Sequence, residues 1–250
     1  MSFLQVPGGH IHYEVSGQGY PVLLFGPGFL NSRIERWRCN PARPGVEQDW
    51  ADPIPVLSPH FRVVALDVRN AGESRVAIWP DYGWESYTGD HLALLRHLGI
   101  TSCHAMGACI GVSFALSLAQ AAPGLVSALV LQNPIGLGGN RDVVQAEFDT
   151  WATEVATWPD TDAALLPAIG QRMFGGEFLF SVDRDFVASC GISMMLLPAA
   201  DRMHPAEISA DIARLGRAEV IDPWGGPQRR DQTMQRVLQF FQSHQPEASR

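Results

Sequence analysis

The stretch Met106-Gly107-Ala108-Cys109-Ile110-Gly111 constrains this chain more than any other. It reads as a strand end, a tight turn flanked by glycines, and the first turn of a helix. The run before it, from Cys103, is short and apolar. The run after it, from Val112 to Ala119, is rich in Ala and Leu at helical spacing. Gly107 and Gly111 leave room for a sharp turn and for close packing of helix on sheet, so the residue between them is pushed into a strained, exposed position. The pattern is Gly-x-Ser-x-Gly, the nucleophile elbow, with cysteine in the serine position. A thiol starts near pKa 8.5, and a helix N-terminus favours its thiolate, so Cys109 needs less help from a base than a serine would.

The surrounding chain alternates strand and helix. Residues 8–15 suit an N-terminal hairpin, with His10 and His12 on one face of a solvated edge. Pro21-Val22-Leu23-Leu24-Phe25 is a continuous apolar run of the buried parallel type, followed by the glycine-rich Gly26-Pro27-Gly28-Phe29. Residues 31–59 are irregular, longer than a usual connection, and carry Arg33, Arg36 and Arg38 close together. That cluster reads first as a solvated surface and secondarily as a contact for an anionic substrate. Residues 61–67 form another buried strand, and residues 87–98 a helix closed by Gly99. His91 and His97 on that helix read as surface positions, and His104 as a core histidine. Strand 125–131 precedes a helical, aromatic-rich stretch, and strands near 192–197 and 218–221 complete the alternation, which implies a mostly parallel sheet with right-handed crossovers.

Composition excludes several classes. The 250 residues suffice for one large α/β domain. A net charge of −8 without a basic run argues against nucleic acid as a partner. No apolar stretch approaches the roughly 20 residues that cross a bilayer, so no membrane partner is expected. The N-terminal residues lack the pattern of a signal peptide. Four dispersed cysteines, with no Cys-x-x-Cys pair, argue against zinc and disulfides and for a reducing cytoplasm. No metal or cofactor is called for.

On these residues the chain resembles the α/β-hydrolase superfamily over nearly its whole length. The features that carry the likeness are the hairpin, the Gly26-Pro27-Gly28 loop, Asp67-x-Arg69-x-x-Gly72-x-Ser74, the Gly107-x-Cys109-x-Gly111 elbow, and Asp201 after a late strand. The resemblance implies a doubly wound, mostly parallel α/β sheet. Residues 1–134 and 190–250 would form one discontinuous core, and residues 135–189 a small inserted helical cap. It implies Cys109 as nucleophile, an oxyanion hole from the backbone N–H of Ile110 and one near Gly28 and Phe29, and Asp201 as the acid. It also exposes a departure. The loop where the family places its histidine, Asp222-Pro223-Trp224-Gly225-Gly226-Pro227-Gln228-Arg229-Arg230, holds none. His204, three residues after Asp201, is the substitute base.

The expected activity is attack of Cys109 on an activated acyl carbonyl (ester, thioester or lactone), ending in hydrolysis or acyl transfer. The alternatives are a non-catalytic homologue that binds a small ligand, and a lyase or isomerase that forms no covalent intermediate. The cap aromatics and Met194/Met195 suggest a small apolar acyl substrate, and the cap surface permits a homodimer.

Overall fold

The computed structural model describes residues 1–40 and 43–246; the last four residues of the anticipated core segment lie outside them. The described strands form one mixed sheet, in spatial order β1, β2, β4, β3, β6, β7, β8, β9, with the short β5 pairing on β2. Their spans are Ser2–Val6 (β1), Gly9–Ser16 (β2), Pro21–Phe25 (β3), Arg62–Leu66 (β4), Arg75–Val76 (β5), Cys103–Ala108 (β6), Val126–Gln132 (β7), Ser193–Leu197 (β8) and Glu219–Val220 (β9). The β1–β2 hairpin and the β2–β4 pair are antiparallel. From β4 through β9 every pairing is parallel.

Why the central strands are apolar on both faces follows from the layers. Leu23, Phe25, Ala105, Leu129 and Leu131 face one cluster, together with residues of α2 (Trp84–His97), α3 (Gly111–Ala121) and α7 (Ala206–Leu215). The alternate residues, Val22, Leu24, Met106, Ala108, Ala128 and Val130, face a second cluster with α1 (Pro53–Leu57) and α8 (Arg230–Ser243). A strand sandwiched between helical layers needs both of its faces to be apolar, which gives continuous runs instead of alternation.

Between β7 and β8 the chain builds α4 (Arg141–Val155), α5 (Leu166–Phe174) and α6 (Arg184–Ser189). Their apolar residues join the first cluster instead of forming a core of their own. Phe174 stacks on Phe29 at 4.7 Å between ring centroids, and the Trp84 indole N–H donates to the Met173 carbonyl. The insertion is thereby fixed to the loop after β3 and to α2.

Two histidines depart from the sequence reading. His12 is buried instead of solvated, with Nδ1 2.9 Å from Asp67 Oδ2. His91 is buried against Phe25, 4.6 Å between ring centroids. Both lie where the sheet or α2 is covered by a neighbouring element, which local polarity does not report. His104 is a core residue as expected, stacked on Phe241 and bonded through Nδ1 to Ser127.

Candidate active site

The site lies at the carboxyl ends of the parallel strands, where open α/β sheets form their crevice. Cys109 follows β6. Its φ is 55°, a left-handed conformation that costs energy for a residue with a Cβ. The flanking glycines show why the turn excludes larger residues. A Cβ on Gly107 would stand 2.2 Å from the Gly111 carbonyl oxygen, and one on Gly111 would stand 2.2 Å from that of Phe25. The strain is held by the sheet, because the Cys109 N–H donates to the Gln132 carbonyl at 2.9 Å.

Strand β3 neighbours β6, and its exit loop comes back to the elbow. Gly28 has φ 119°, and its backbone N–H and that of Ile110 both favour the Cys109 thiolate electrostatically. These two of the three anticipated oxyanion positions converge through their backbone. Phe29, the third, lines the cavity and turns its ring into the Phe174 stack.

Strand β8 lies two places from β6, and its exit loop supplies both Asp201 and His204. Asp201 organises that turn. Its Oδ1 accepts from the backbone N–H groups of Met203 and His204, at 2.8 and 2.9 Å, and its own N–H donates to the His204 carbonyl. The carboxylate also meets His204 Nδ1, 2.9 Å from Oδ2. One tight turn therefore fixes acid and imidazole together. The other ring nitrogen, Nε2, is buried without a hydrogen-bond partner among the described residues, and the His204 side chain lines the same cavity as Cys109 and couples to it electrostatically.

The electrostatics follow from this contact. Burial pushes the Cys109 thiol up, but the His204 charge and hydrogen bond, with the Ile110 and Gly28 N–H groups, outweigh it and hold the pKa below its ordinary value. Burial likewise works against a charged His204, yet Cys109 and Asp201 raise it to about 9. Asp201 loses some solvation, which the His204 contacts and the two backbone N–H groups overcome, so its pKa is lowered. The arrangement can hold a thiolate beside an imidazolium.

The loop after β9 is occupied otherwise. Trp224 is buried there, and its indole N–H donates to the Pro198 carbonyl at 2.7 Å. His244 closes α8, bonded to the Phe240 carbonyl.

A cavity of about 430 Å³ opens above Cys109 and His204. Its wall also carries Arg36, Glu147, Gln132 and Asn133, so it is less apolar than the cap aromatics suggest. Those aromatics pack into the interior instead: Phe148, Phe174 and Phe180 are buried. Glu147 was not legible beforehand, since only the fold of α4 brings it over the elbow. The described residues contain no group of three or more His, Cys, Asp or Glu side chains placed to hold a metal ion. No helix among them is long and apolar enough to cross a membrane.

The family described as alpha/beta hydrolase fold matches residues 21–186. The chain belongs to the α/β-hydrolase family. An N-formylmaleamate deformylase of Pseudomonas putida is 33% identical over 171 residues, 62% of this chain and 58% of that protein. The chain thus spans somewhat over half the length of that relative. Among solved α/β-hydrolase structures, a meta-cleavage product hydrolase from Pseudomonas fluorescens superposes with a TM-score of 0.68 at 18% identity, covering 98% of each chain. The enol-lactonase from Burkholderia xenovorans gives 0.67 at 18%, covering 96% of this chain and all of the other. At such identity these two likenesses establish the fold alone.

Proposed function

We propose that this α/β-hydrolase-fold chain is a cysteine hydrolase of activated acyl compounds, acting through Cys109, His204 and Asp201. One observation carries the reading: His204, its Nδ1 held by Asp201 and its Nε2 buried without a hydrogen-bond partner among the described residues, lines one cavity with the elbow thiol and couples to it electrostatically. A nucleophile, a base and an orienting group in sequence are what covalent acyl chemistry requires.

The steps follow from the geometry. The Cys109 thiolate attacks the carbonyl carbon, forming a C–S bond while the carbonyl π electrons move onto oxygen. The N–H groups of Ile110 and Gly28 hold that oxyanion. When it collapses, the bond to the leaving group breaks and His204 supplies the leaving group's proton. A water then gives its proton to neutral His204, attacks the thioester, and releases the acid and the thiol. Thiolate is itself a good leaving group, so the first adduct goes forward through the proton that His204 gives the other group, most easily when that group is less basic than an amide nitrogen. That favours esters, thioesters and lactones over amides. With His204 in place as base, hydrolysis needs no acceptor other than water, which favours it over acyl transfer. The relatives' names agree at the level of hydrolase chemistry.

The test is intact mass after exposure to a small activated ester, with Cys109→Ala and His204→Ala in parallel. The expected result is a transient acyl adduct on the native protein, none on Cys109→Ala, and a persistent adduct on His204→Ala. Absence of an adduct on the native protein would leave ligand binding or non-covalent chemistry as the reading.

A further inference from the structure

Among the described residues, one cation in the cavity over Cys109 has no ion-pair partner. Arg36 stands on the short helical turn Ile34–Trp37, between two arginines that each have an acidic partner. Arg33 pairs with Glu35 at 3.0 Å, and Arg38 with Asp52 at 3.1 Å and Glu14 at 3.8 Å. No ion pair or hydrogen bond joins the Arg36 side chain to any other described residue, and its Nε is buried with no partner among them. Its side chain lies along the oxyanion loop: a Cβ on Gly28 would be 3.2 Å from that Nε. Glu147 on α4 shares the cavity and attracts Arg36 only from beyond ion-pair distance. Burial, reinforced by the neighbouring Arg33 charge, pulls the Arg36 pKa below its ordinary value. A buried guanidinium N–H without an acceptor is costly until an anion or other acceptor meets it.

We propose that Arg36 receives a carboxylate of the substrate, so that the chain acts on acyl compounds bearing a second, anionic carboxyl group near the scissile carbonyl. The planar fork of arginine suits a carboxylate in two-point contact. The cavity is small, so one end of such a compound on Arg36 leaves the other within reach of Cys109. This rests on the reading of Cys109 as the nucleophile.

The test compares the para-nitrophenyl monoester of glutaric acid with its neutral carboxamide counterpart. The native protein should favour the carboxylate by about 10- to 100-fold in kcat/KM, the range of a charge-assisted hydrogen bond. Arg36→Gln should collapse that preference, and Arg36→Lys should restore part of it. A native protein without preference overturns the proposal, as does Arg36→Gln lowering both esters equally, which would place Arg36 on the oxyanion or in loop packing. Free glutarate should also raise the melting temperature of the native protein more than that of Arg36→Gln; no rise in the native protein counts against the proposal without any turnover. Intact mass separates the two readings. Acyl adducts on Cys109 from both esters without a carboxylate preference sink Arg36 alone. A carboxylate preference without any adduct sinks the thiol reading and leaves Arg36 as the anion site.

Discussion

The molecule contains two aspartate–histidine pairs with nearly the same bond, in different surroundings. In each, Nδ1 of the imidazole lies 2.9 Å from a carboxylate oxygen, and in each Nε2 is buried without a hydrogen-bond partner among the described residues. His12 and Asp67 are both 6% exposed in their side chains, whereas Asp201 is 58% exposed. Asp67 holds loops together: it accepts from the N–H groups of Ile34 and Glu73 as well as from His12. The nearby hydroxyl of Ser74 is committed to the backbone, accepting from the His12 N–H and donating to the Asp67 carbonyl. The His12 ring rests against Phe3. His204 instead meets a strained thiol at the floor of a cavity. The pair alone therefore does not make a site; what stands on the far side of the imidazole decides its role.

The widest separation between the pairs is expected in activity. His204→Ala should lower ester turnover by about 10²- to 10⁴-fold, the range for removal of a general acid–base, while leaving the melting temperature nearly unchanged. His12→Ala should leave turnover per folded molecule intact. Steady-state kinetics on both variants, normalised by folded fraction, checks this. Equal losses would mean that the two pairs serve one site.

Stability should separate them in the opposite direction. Asp67→Ala leaves the buried His12 ring, the buried Ile34 N–H and the part-buried Glu73 N–H without their acceptor, so unfolding free energy should fall by about 3–5 kcal/mol. Asp201→Ala removes a largely exposed carboxylate, and the fall should stay within about 1 kcal/mol. Urea unfolding of the two variants measures both. A fall for Asp201→Ala as large as that for Asp67→Ala would make the β8 exit turn a structural device.

How far the sequence foretold this depended on range. The elbow was legible because its constraint is local: Gly107 and Gly111 stand two residues either side of Cys109, and the clashes they avoid are with the turn itself and the adjacent strand. The central strands were legible because burial on two faces leaves continuous apolar runs. The Asp201–His204 turn could be suspected from three-residue spacing, but its approach to Cys109 depends on β7 lying between β6 and β8. His12 was misread because its partner is 55 residues away in sequence. The difference between Arg36 and its neighbours was invisible for the same reason: the acids Glu14 and Asp52 reach Arg38 through the fold, and no described acid closes on Arg36.

The subtlest contrast concerns protons. His204 has a folded pKa raised to about 9, so its contribution to stability is complete below the ordinary histidine value and fades as pH rises through about 9. Cys109 has a lowered folded pKa, so its contribution is complete above the ordinary thiol value and fades as pH falls through the lowered one. The two slopes oppose each other in the window they share, so unfolding experiments see little of the pair. Reactivity sees it directly, because only the thiolate is alkylated. The rate of Cys109 modification by iodoacetamide should therefore reach its midpoint below the ordinary thiol pKa in the native protein. His204→Gln should move that midpoint upward, since it removes the positive charge that helps to overcome burial, and His12→Gln should not move it. A midpoint in the native protein at or above the ordinary value would mean that burial prevails at Cys109, and would erase the electrostatic difference between the two histidines.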